Sequence, residues 1–252
     1  MDYQEDNINI NINKSKTIAI IACSGIGRRM NLDTPKQFLE INNKPIICYT
    51  IEKFERCNLV DEIIIVTNKE YIDFVKSYLV ENSSYKKITN IVCGGKERIF
   101  SVYNGLNSIV NPNSNDVIVI HDGVRPFLRV KDLENIIETT KVKKACVLGV
   151  RCKETIKLCK ENSIVRTPIR ENLWLAQTPQ CFNYKLIKKA YDNAIENKIF
   201  ATDDSSLVEA LGLKVHIIEG HYDNIKITTP EDLKFFNANN PNNYTPNNFY
   251  NL

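Results

Sequence analysis

The chain has 252 residues, 43% of them hydrophobic, which is enough for one sizeable core. Its formal net charge of +3 is too small to indicate nucleic-acid binding, and no apolar run approaches the roughly 20 residues of a membrane span. Residues 1–16 do not resemble a signal peptide, and the eight cysteines form no C-x-x-C pair. We therefore expect reduced thiols and no membrane partner, in the cytoplasm or, if a targeting segment has been removed, in a plastid-type stroma.

The first 150 residues alternate between strand and helix patterns. Short β-branched runs predict buried strands at 18–22, 62–67, 88–93, 116–121 and 145–150. Helical spacing of apolar residues predicts helices at 45–57, 69–80, 98–110 and 131–141. Strands and helices that alternate in this way form a parallel sheet covered on both faces. The sequence thus predicts an α/β protein with a Rossmann-like, mostly parallel, doubly wound sheet.

The pattern changes at residue 151. Strand-like pieces at 155–159 and 163–168 would expose apolar edges unless another surface covered them. We therefore predict that residues 151–183 form a β-arm that pairs with its twin in a homodimer. The alternation then returns, with a helix at 184–196, a helix that begins at 202–204, a strand at 215–219 and a helix start at Pro230.

The two ends of the chain are rich in Asn. Residues 1–16 and 237–252 have few apolar residues that could join a core. We predict a disordered extension and a disordered tail on either side of one domain at 17–236, with the arm as an insertion.

The first strand runs into a turn of small residues, Cys23 to Gly27, followed by the cations Arg28, Arg29 and Lys36. Glycines let backbone N–H groups approach an anion, and a cluster of permanent positive charge favours a polyphosphate. The turn is not a Walker loop, because no Lys-Ser or Lys-Thr closes it. An ordinary turn is the alternative, but it would need no such cluster of cations.

Two later strand ends carry similar chemistry. The first is the glycine turn GGKER at 94–98, with Ser101 on the following helix, and the second is HDGVR at 121–125. A carboxylate at a strand end beside phosphate-binding turns suits Mg²⁺, so Asp122 is a candidate metal ligand. An isolated Asp would more often cap the next turn. Lys226 precedes the helix start at Pro230 and is placed to point toward the same edge.

Six short motifs in this order resemble the cytidylyltransferase family of the non-mevalonate isoprenoid pathway, which acts on 2-C-methyl-D-erythritol 4-phosphate. They are GIGRRM with PKQF, GGKER with Ser101, HDGVRPF, RENLWLAQTPQCF, TDDSSLVE and DNIKITTPEDL. The resemblance spans residues 17 to 236 and implies a nucleotidyltransferase domain. It also implies transfer of CMP from CTP to the acceptor phosphate by in-line attack at the α-phosphorus, with Mg²⁺ as cofactor and pyrophosphate as leaving group.

The resemblance further implies a role for each matched residue. Arg29 and Lys36 match transition-state stabilisers, and Arg170 and Lys226 match groups that position the attacking phosphate. Asp122 matches the Mg²⁺ ligand, with Asp223 as a candidate second ligand. The nucleotide site is implied at Cys23, Ser24, Gly25, Gly95, Lys96 and Ser101. The acceptor site, partly across the dimer interface, is implied at Thr155, Arg170, Thr178 and Thr202.

Three positions depart from the family pattern. Cys23-Ser24 and Gly123-Val124 each replace Ala-Ala, and Lys96 replaces an acid. None of them belongs to the charged catalytic set.

One alternative remains open, and a second is disfavoured. A cytidylyltransferase for ribitol 5-phosphate or another alditol phosphate would share the glycine loop, the Asp and the Lys. A nicotinamide-dependent oxidoreductase is disfavoured, because Met30 occupies the third glycine position and Thr67-Asn68 stands where a ribose-binding acid is expected.

Overall fold

A seven-stranded mixed sheet forms the centre of the computed structural model, which describes residues 15–25, 34–81 and 85–238. The strands are β1 (Thr17–Ala22), β2 (Glu40–Ile41), β3 (Lys44–Pro45), β4 (Glu62–Thr67), β5 (Ile88–Cys93), β6 (Val117–Asp122), β7 (Ala145–Arg151), β8 (Leu158–Lys160), β9 (Ser163–Arg166), β10 (Trp174–Asn183) and β11 (His216–Glu219). The order in the large sheet is β11-β7-β10-β6-β1-β4-β5. Strands β2 with β3, and β8 with β9, form two small hairpins.

Helices cover both faces of this sheet. They are α1 (Ile46–Arg56), α2 (Ile72–Val75), α3 (Arg98–Asn107), α4 (Val130–Lys143), α5 (Tyr184–Glu196), α6 (Asp204–Glu209) and α7 (Lys234–Ala238). The helix predicted at 69–80 is a continuous helical run of a 3₁₀ turn (Lys69–Tyr71), α2 and a π-helix (Lys76–Glu81). The predicted α/β alternation is confirmed. Within the described ranges, no helix is long and apolar enough to cross a membrane.

The sequence of strand β1 is apolar at successive positions, without alternation between apolar and polar residues, because both of its faces are buried. Ala19 and Ile21 lie in an apolar cluster with residues of α1 and α4, whereas Ile18 and Ile20 lie in a second cluster with residues of α3 and α5. A parallel strand buried on both faces needs apolar residues at every position. Truncation of a fully buried Ile such as Ile20 to Ala costs about 2–5 kcal/mol.

The strand order reverses at β1, and this determines where a ligand can bind. β4 pairs with one side of β1, and the later strand β6 pairs with the other side, both in parallel. Open α/β sheets bind ligands beyond the carboxyl ends of their strands at such a reversal. Ala22 at the end of β1 is the register partner of Asp122 at the end of β6. Two of the three strand ends singled out in the sequence are therefore neighbours.

The arm is shorter than predicted. The structure places residues 174–183, assigned to the arm by the sequence, in β10, which lies antiparallel between β6 and β7. Its register breaks between Ala176 and Gln180, and Pro179 falls in that break. Proline lacks an N–H for the ladder and is tolerated within a sheet at such irregularities. Residues 152–173, which include the hairpin β8–β9, lie outside the large sheet and are the part of the predicted arm that remains.

The sequence prediction also omitted the β2–β3 hairpin. Its turn residues Asn42 and Asn43 have φ of 52° and 59°, which Asn tolerates better than most residues. At the chain ends, residues 1–14 and 239–252 lie outside the described residues, so the predicted disorder there stays a prediction. Helix α7 reaches Ala238, two residues past the predicted domain boundary at 236.

Candidate active site

The two glycine turns and the end of β6 enclose a cavity of about 380 Å³. Eight residues predicted for the site line it: Cys23, Ser24, Gly25, Lys36, Gly95, Lys96, Asp122 and Lys226. Among the described residues, its charged lining groups are four cations (Lys36, Lys96, Arg98 and Lys226) and two carboxylates (Glu97 and Asp122). The excess of positive charge among these groups attracts an anionic ligand such as a nucleoside triphosphate.

The first glycine turn is held by a side chain that the sequence analysis did not single out. Gln37 Nε2 donates to the carbonyl oxygens of Cys23 and Gly25 at 2.6 and 3.0 Å. Cys23 is buried, and its thiol donates to the carbonyl of Val66 at 3.1 Å. Burial raises the pKa of Cys23 to about 12, so the thiol is protonated at neutral pH. A buried, protonated thiol is a poor nucleophile, which favours a structural role for Cys23 in the turn.

The two glycine turns pack directly against each other. A Cβ at Gly94 would lie 2.5 Å from Ser24 Cβ, so only glycine allows this approach. Ser24 and Ser101 share a hydrogen bond of 2.7 Å between their hydroxyls, and the Gly95 N–H donates to Ser101 Oγ at 3.1 Å. Ser101 is fully buried, which places it behind the cavity wall as the link between the turns.

Asp122 is the centre of the charges in the cavity. Its carboxylate contacts Lys226 Nζ at 2.8 Å, Arg98 Nε at 3.2 Å and Arg125 Nε at 3.5 Å. Burial by itself would raise the pKa of this carboxyl, but the charges of Arg98, Lys226 and Arg125 hold it well below its usual range. Asp122 is therefore ionised at neutral pH and fixes the direction of Lys226.

A chain of hydrogen bonds supports Asp122 from behind. The Asp122 N–H donates to Thr178 Oγ1 at 3.1 Å, and the Thr178 hydroxyl donates to His121 Nδ1 at 3.0 Å. His121 Nε2–H donates to the carbonyl of Arg125 at 3.2 Å, which assigns the tautomer. Burial lowers the pKa of His121 to about 3, so this imidazole is neutral. Thr178, predicted to bind the acceptor, is buried beneath Asp122.

Arg98 connects the cavity to a second buried acid. Its Nη1 and Nη2 donate to the two carboxylate oxygens of Asp204 at 2.7 and 2.8 Å. The Tyr191 hydroxyl also donates to Asp204. Burial and the Asp204 carboxylate raise the pKa of Tyr191, so the phenol keeps its proton. Arg98 and Arg125 end the GGKER and HDGVR motifs, and Gln37 and Asp204 lie within PKQF and TDDSSLVE, so the motifs contained all four residues although none was assigned a role.

Several predicted residues are not brought to this cavity. Thr155 and Arg170 lie exposed on the arm, where Arg170 Nη1 donates to the Lys153 carbonyl at 3.3 Å. Thr202 is exposed and lines a separate cavity of about 20 Å³ beside Arg98.

The remaining predicted site residues are Asp223 and Arg29. Asp223 pairs with Arg129 at 2.6 Å and lines a different cavity from Asp122. The structure therefore does not support a joint metal site for these two carboxylates. Arg29 lies outside the described residues, so its role stays a prediction.

The cavity suits a metal that is shared with a substrate. Across residues 15–25, 34–81 and 85–238, no three His, Cys, Asp or Glu side chains cluster as a metal site made by protein alone. Mg²⁺ is commonly held by one or two carboxylates together with substrate phosphates. The ionised Asp122, next to a cavity rich in cations, fits that arrangement.

Known proteins are similar to this chain in both sequence and fold. A family model described as "IspD: 2-C-methyl-D-erythritol 4-phosphate cytidylyltransferase" matches residues 17–239. The relative of that name from Clostridium perfringens (strain 13 / Type A) is 47% identical over 219 residues, which cover 86% of this chain and 96% of the relative. The one from Geotalea uraniireducens (strain Rf4) is 42% identical over 218 residues, 86% and 94% of the two chains.

Two solved structures extend the comparison. The 4-diphosphocytidyl-2C-methyl-D-erythritol synthase from Anaerococcus prevotii superposes with a TM-score of 0.78 at 32% identity, over 89% of this chain and 95% of that chain. The 2-C-methyl-D-erythritol 4-phosphate cytidylyltransferase from Francisella tularensis gives 0.76 at 35% identity, over 89% and 99%.

Proposed function

This chain belongs to the 2-C-methyl-D-erythritol 4-phosphate cytidylyltransferase family and forms 4-diphosphocytidyl-2-C-methyl-D-erythritol from CTP and 2-C-methyl-D-erythritol 4-phosphate, and we propose that it does so in the cavity between its two glycine turns. The observation that supports this location is the convergence of Lys36, Asp122 and Lys226 on one cavity at the strand-order reversal. The two glycine turns that border this cavity suit a nucleoside triphosphate.

CTP binds across the two glycine turns in this proposal. Ser24 and Gly25 from the first turn, with Gly95 and Lys96 from the second, contact the cytosine and the ribose, and Ser101 holds the turns together. The triphosphate extends toward Lys36, whose side chain lines the cavity although the residue is only 9% exposed. A cation in such a water-poor position interacts more strongly with phosphate than one on the surface.

The reaction needs no covalent enzyme intermediate. An oxygen of the acceptor phosphate attacks the α-phosphorus of CTP, the new P–O bond forms opposite the leaving group, and pyrophosphate departs. Catalysis is then positioning together with stabilisation of the charge that develops on the α-phosphate oxygens. Lys36 supplies a positive charge that stabilises these oxygens. Arg29 lies outside the described residues, and its role beside Lys36 is proposed from the family motif alone.

Lys226 positions the acceptor phosphate. Its ammonium group is oriented by Asp122 at 2.8 Å, and its side chain is 36% exposed, so it can reach a phosphate that enters from solvent. A group anchored on a buried carboxylate needs little reorganisation when the substrate binds. Lys226 is therefore proposed to align the attacking oxygen.

Mg²⁺ is proposed as the cofactor, held by Asp122 and phosphate oxygens. When bound, it would neutralise phosphate charge and polarise the α-phosphoryl group. Asp223 is not included, because Arg129 binds it and it lines another cavity.

A homodimer is proposed to complete the acceptor site. The arm exposes large apolar side chains, with Leu158, Ile164, Val165 and Ile169 between 47% and 67% exposed. An exposed apolar hairpin of this kind favours burial against a partner. A second copy would cover it and could bring Thr155 and Arg170 to a cavity that they do not line in their own chain, which agrees with the acceptor roles implied by the family motifs.

The test is pyrophosphate release from CTP in the presence of Mg²⁺, with 2-C-methyl-D-erythritol 4-phosphate and ribitol 5-phosphate supplied in parallel. We expect release with the first acceptor only. Release with ribitol 5-phosphate alone would reassign the acceptor, and unchanged release by a Lys36→Ala variant would contradict the proposed location of the site.

A further inference from the structure

We propose that Asp204 is a positioning residue for this reaction: through Arg98 it fixes how Asp122 meets Lys226. The inference rests on the proposed function, because it concerns the same cavity. Asp204 lies outside the cavity lining, on α6, and acts through contacts that connect residues 106 positions apart in the sequence.

The geometry of Arg98 is the first step. A guanidinium group is planar and presents its donors in a fixed fork. Asp204 binds both terminal nitrogens of this fork end-on, at 2.7 and 2.8 Å, and Nε contacts Asp122, at 3.2 Å. In the orientation that Asp204 imposes, Arg98 contacts Oδ1 of Asp122 through Nε alone.

The second step concerns the other oxygen of Asp122. Oδ2 contacts Lys226 at 2.8 Å and lies 3.5 Å from Arg125 Nε. An Arg98 released from Asp204 could turn its fork onto Asp122 and bind both oxygens, since bidentate pairs are the favoured Arg–carboxylate arrangement. Lys226 would then lose the partner that orients it toward the acceptor phosphate.

The third step is that Asp204 is itself rigidly held. It is fully buried in the first turn of α6, next to the N-cap Asp203, and receives a hydrogen bond from Tyr191 of α5. Leu207 and Val208 of α6 pack in the same apolar cluster as Tyr191. A functional side chain is positioned best by groups that are themselves immobilised by packing.

The experiment combines Asp204→Asn with Arg98→Met, singly and together, and measures kcat and KM for both substrates alongside thermal unfolding. We expect Asp204→Asn to lower kcat by about 10–100-fold while KM for CTP changes by less than about threefold. In the Arg98→Met background, the same change should lower kcat no further, because its route to Asp122 has been removed. Multiplicative losses in the double variant would overturn the proposal.

Asp203→Ala is the matched control. Asp203 is the neighbouring acid at the start of α6, and its carboxylate bonds Gln180, Ser205 and Ser206 but not Arg98. We expect it to lower the melting temperature and leave kcat unchanged. A kcat loss equal to that of Asp204→Asn would mean that disturbance of α6 alone explains the effect.

Two further measurements keep the result decisive. If Asp204→Asn does not fold, Tyr191→Phe takes its place, because it removes only one hydrogen bond from Asp204. It should lower kcat about threefold when Arg98 is present and should not lower kcat in the Arg98→Met background. Equal losses in both would contradict the proposal. Absence of turnover in the unmodified protein would instead contradict the proposed function.

Discussion

The cavity and the arm differ in how their residues are held. Around the cavity, Asp122 has three cations and a backbone hydrogen bond, and its partners come from the adjacent turn (Arg125) and from more distant segments (Arg98, Thr178 and Lys226). On the arm, β8 and β9 pair only with each other, and Ile164 and Val165 are 63% and 60% exposed. The contacts of Asp122 are thus made within one chain, whereas the arm keeps large apolar side chains exposed.

This difference separates two kinds of requirement. Charges that act on phosphates must be fixed before the substrate arrives, and a buried network achieves this within one chain. Groups on a weakly supported hairpin become fixed only when another surface covers them.

The largest effect is expected for Lys226→Ala. Loss of the ammonium group that aligns the acceptor should lower kcat about 10²–10³-fold, comparable to the removal of one transition-state donor. CTP affinity should stay within about threefold, because the glycine turns are unchanged. Steady-state kinetics and CTP titration calorimetry provide the measurements, with Lys141→Ala, an exposed lysine of α4, as control. Normal turnover would show that Lys226 does not position the acceptor.

The next effect is a pH dependence of stability due to His121. The pKa of His121 is about 3 in the folded protein and near 6.5 when unfolded, so the unfolded state binds the extra proton between these values. Stability from this group is complete above about pH 6.5 and falls as the pH decreases toward 3. Between pH 7 and pH 5 we expect a loss of about 2 kcal/mol in the free energy of unfolding.

Denaturant unfolding of the chain and of a His121→Gln variant at both pH values measures this loss. The variant should show a smaller difference between pH 7 and pH 5. As an independent check, the folded protein should show no titration of the His121 imidazole by NMR above pH 5. A His121 signal that titrates near 6.5 would mean that the imidazole is not held neutral by burial.

A third effect concerns the arm. Ile164→Glu combined with Val165→Glu should give a monomer, because two carboxylates would be buried at the proposed interface. We expect kcat to fall by about tenfold or more, since Thr155 and Arg170 would no longer be delivered by a partner. Light scattering and turnover assays test this. A monomeric variant with full activity would refute an acceptor site shared between subunits.

The smallest effect is expected for Lys157→Ala on the same arm. Lys157 donates to Thr167 Oγ1 at 2.8 Å, and both side chains are exposed. The change should alter the free energy of unfolding by less than about 0.5 kcal/mol and leave the molecular mass in solution unchanged. Dissociation by this variant would show that any change to the hairpin, and not the added charge, disrupts the assembly.

Some strands follow from the composition of their own segment, and others do not. Apolar runs such as 18–22 and 62–67 predicted their strands, because burial on both faces of a parallel sheet requires that composition. The sequence did not predict β10 as a strand of the large sheet, because it contains Pro179 with polar neighbours and proline rarely occurs within a central strand. Pro179 is accommodated by a register break that has no signature in the sequence.

Short segments specify the α/β alternation and the chemistry at three strand ends, since hydrophobic periodicity, glycine turns and charged residue types are local properties. The pairing of Ala22 with Asp122, the ion pair of Asp223 with Arg129, and the contacts of Arg98 with Asp122 and Asp204 depend on the tertiary structure. Three of these contacts join residues between 94 and 106 positions apart, and Arg98 and Asp122 are 24 positions apart, so the partners are selected by the strand order and helix packing and not by proximity in the sequence.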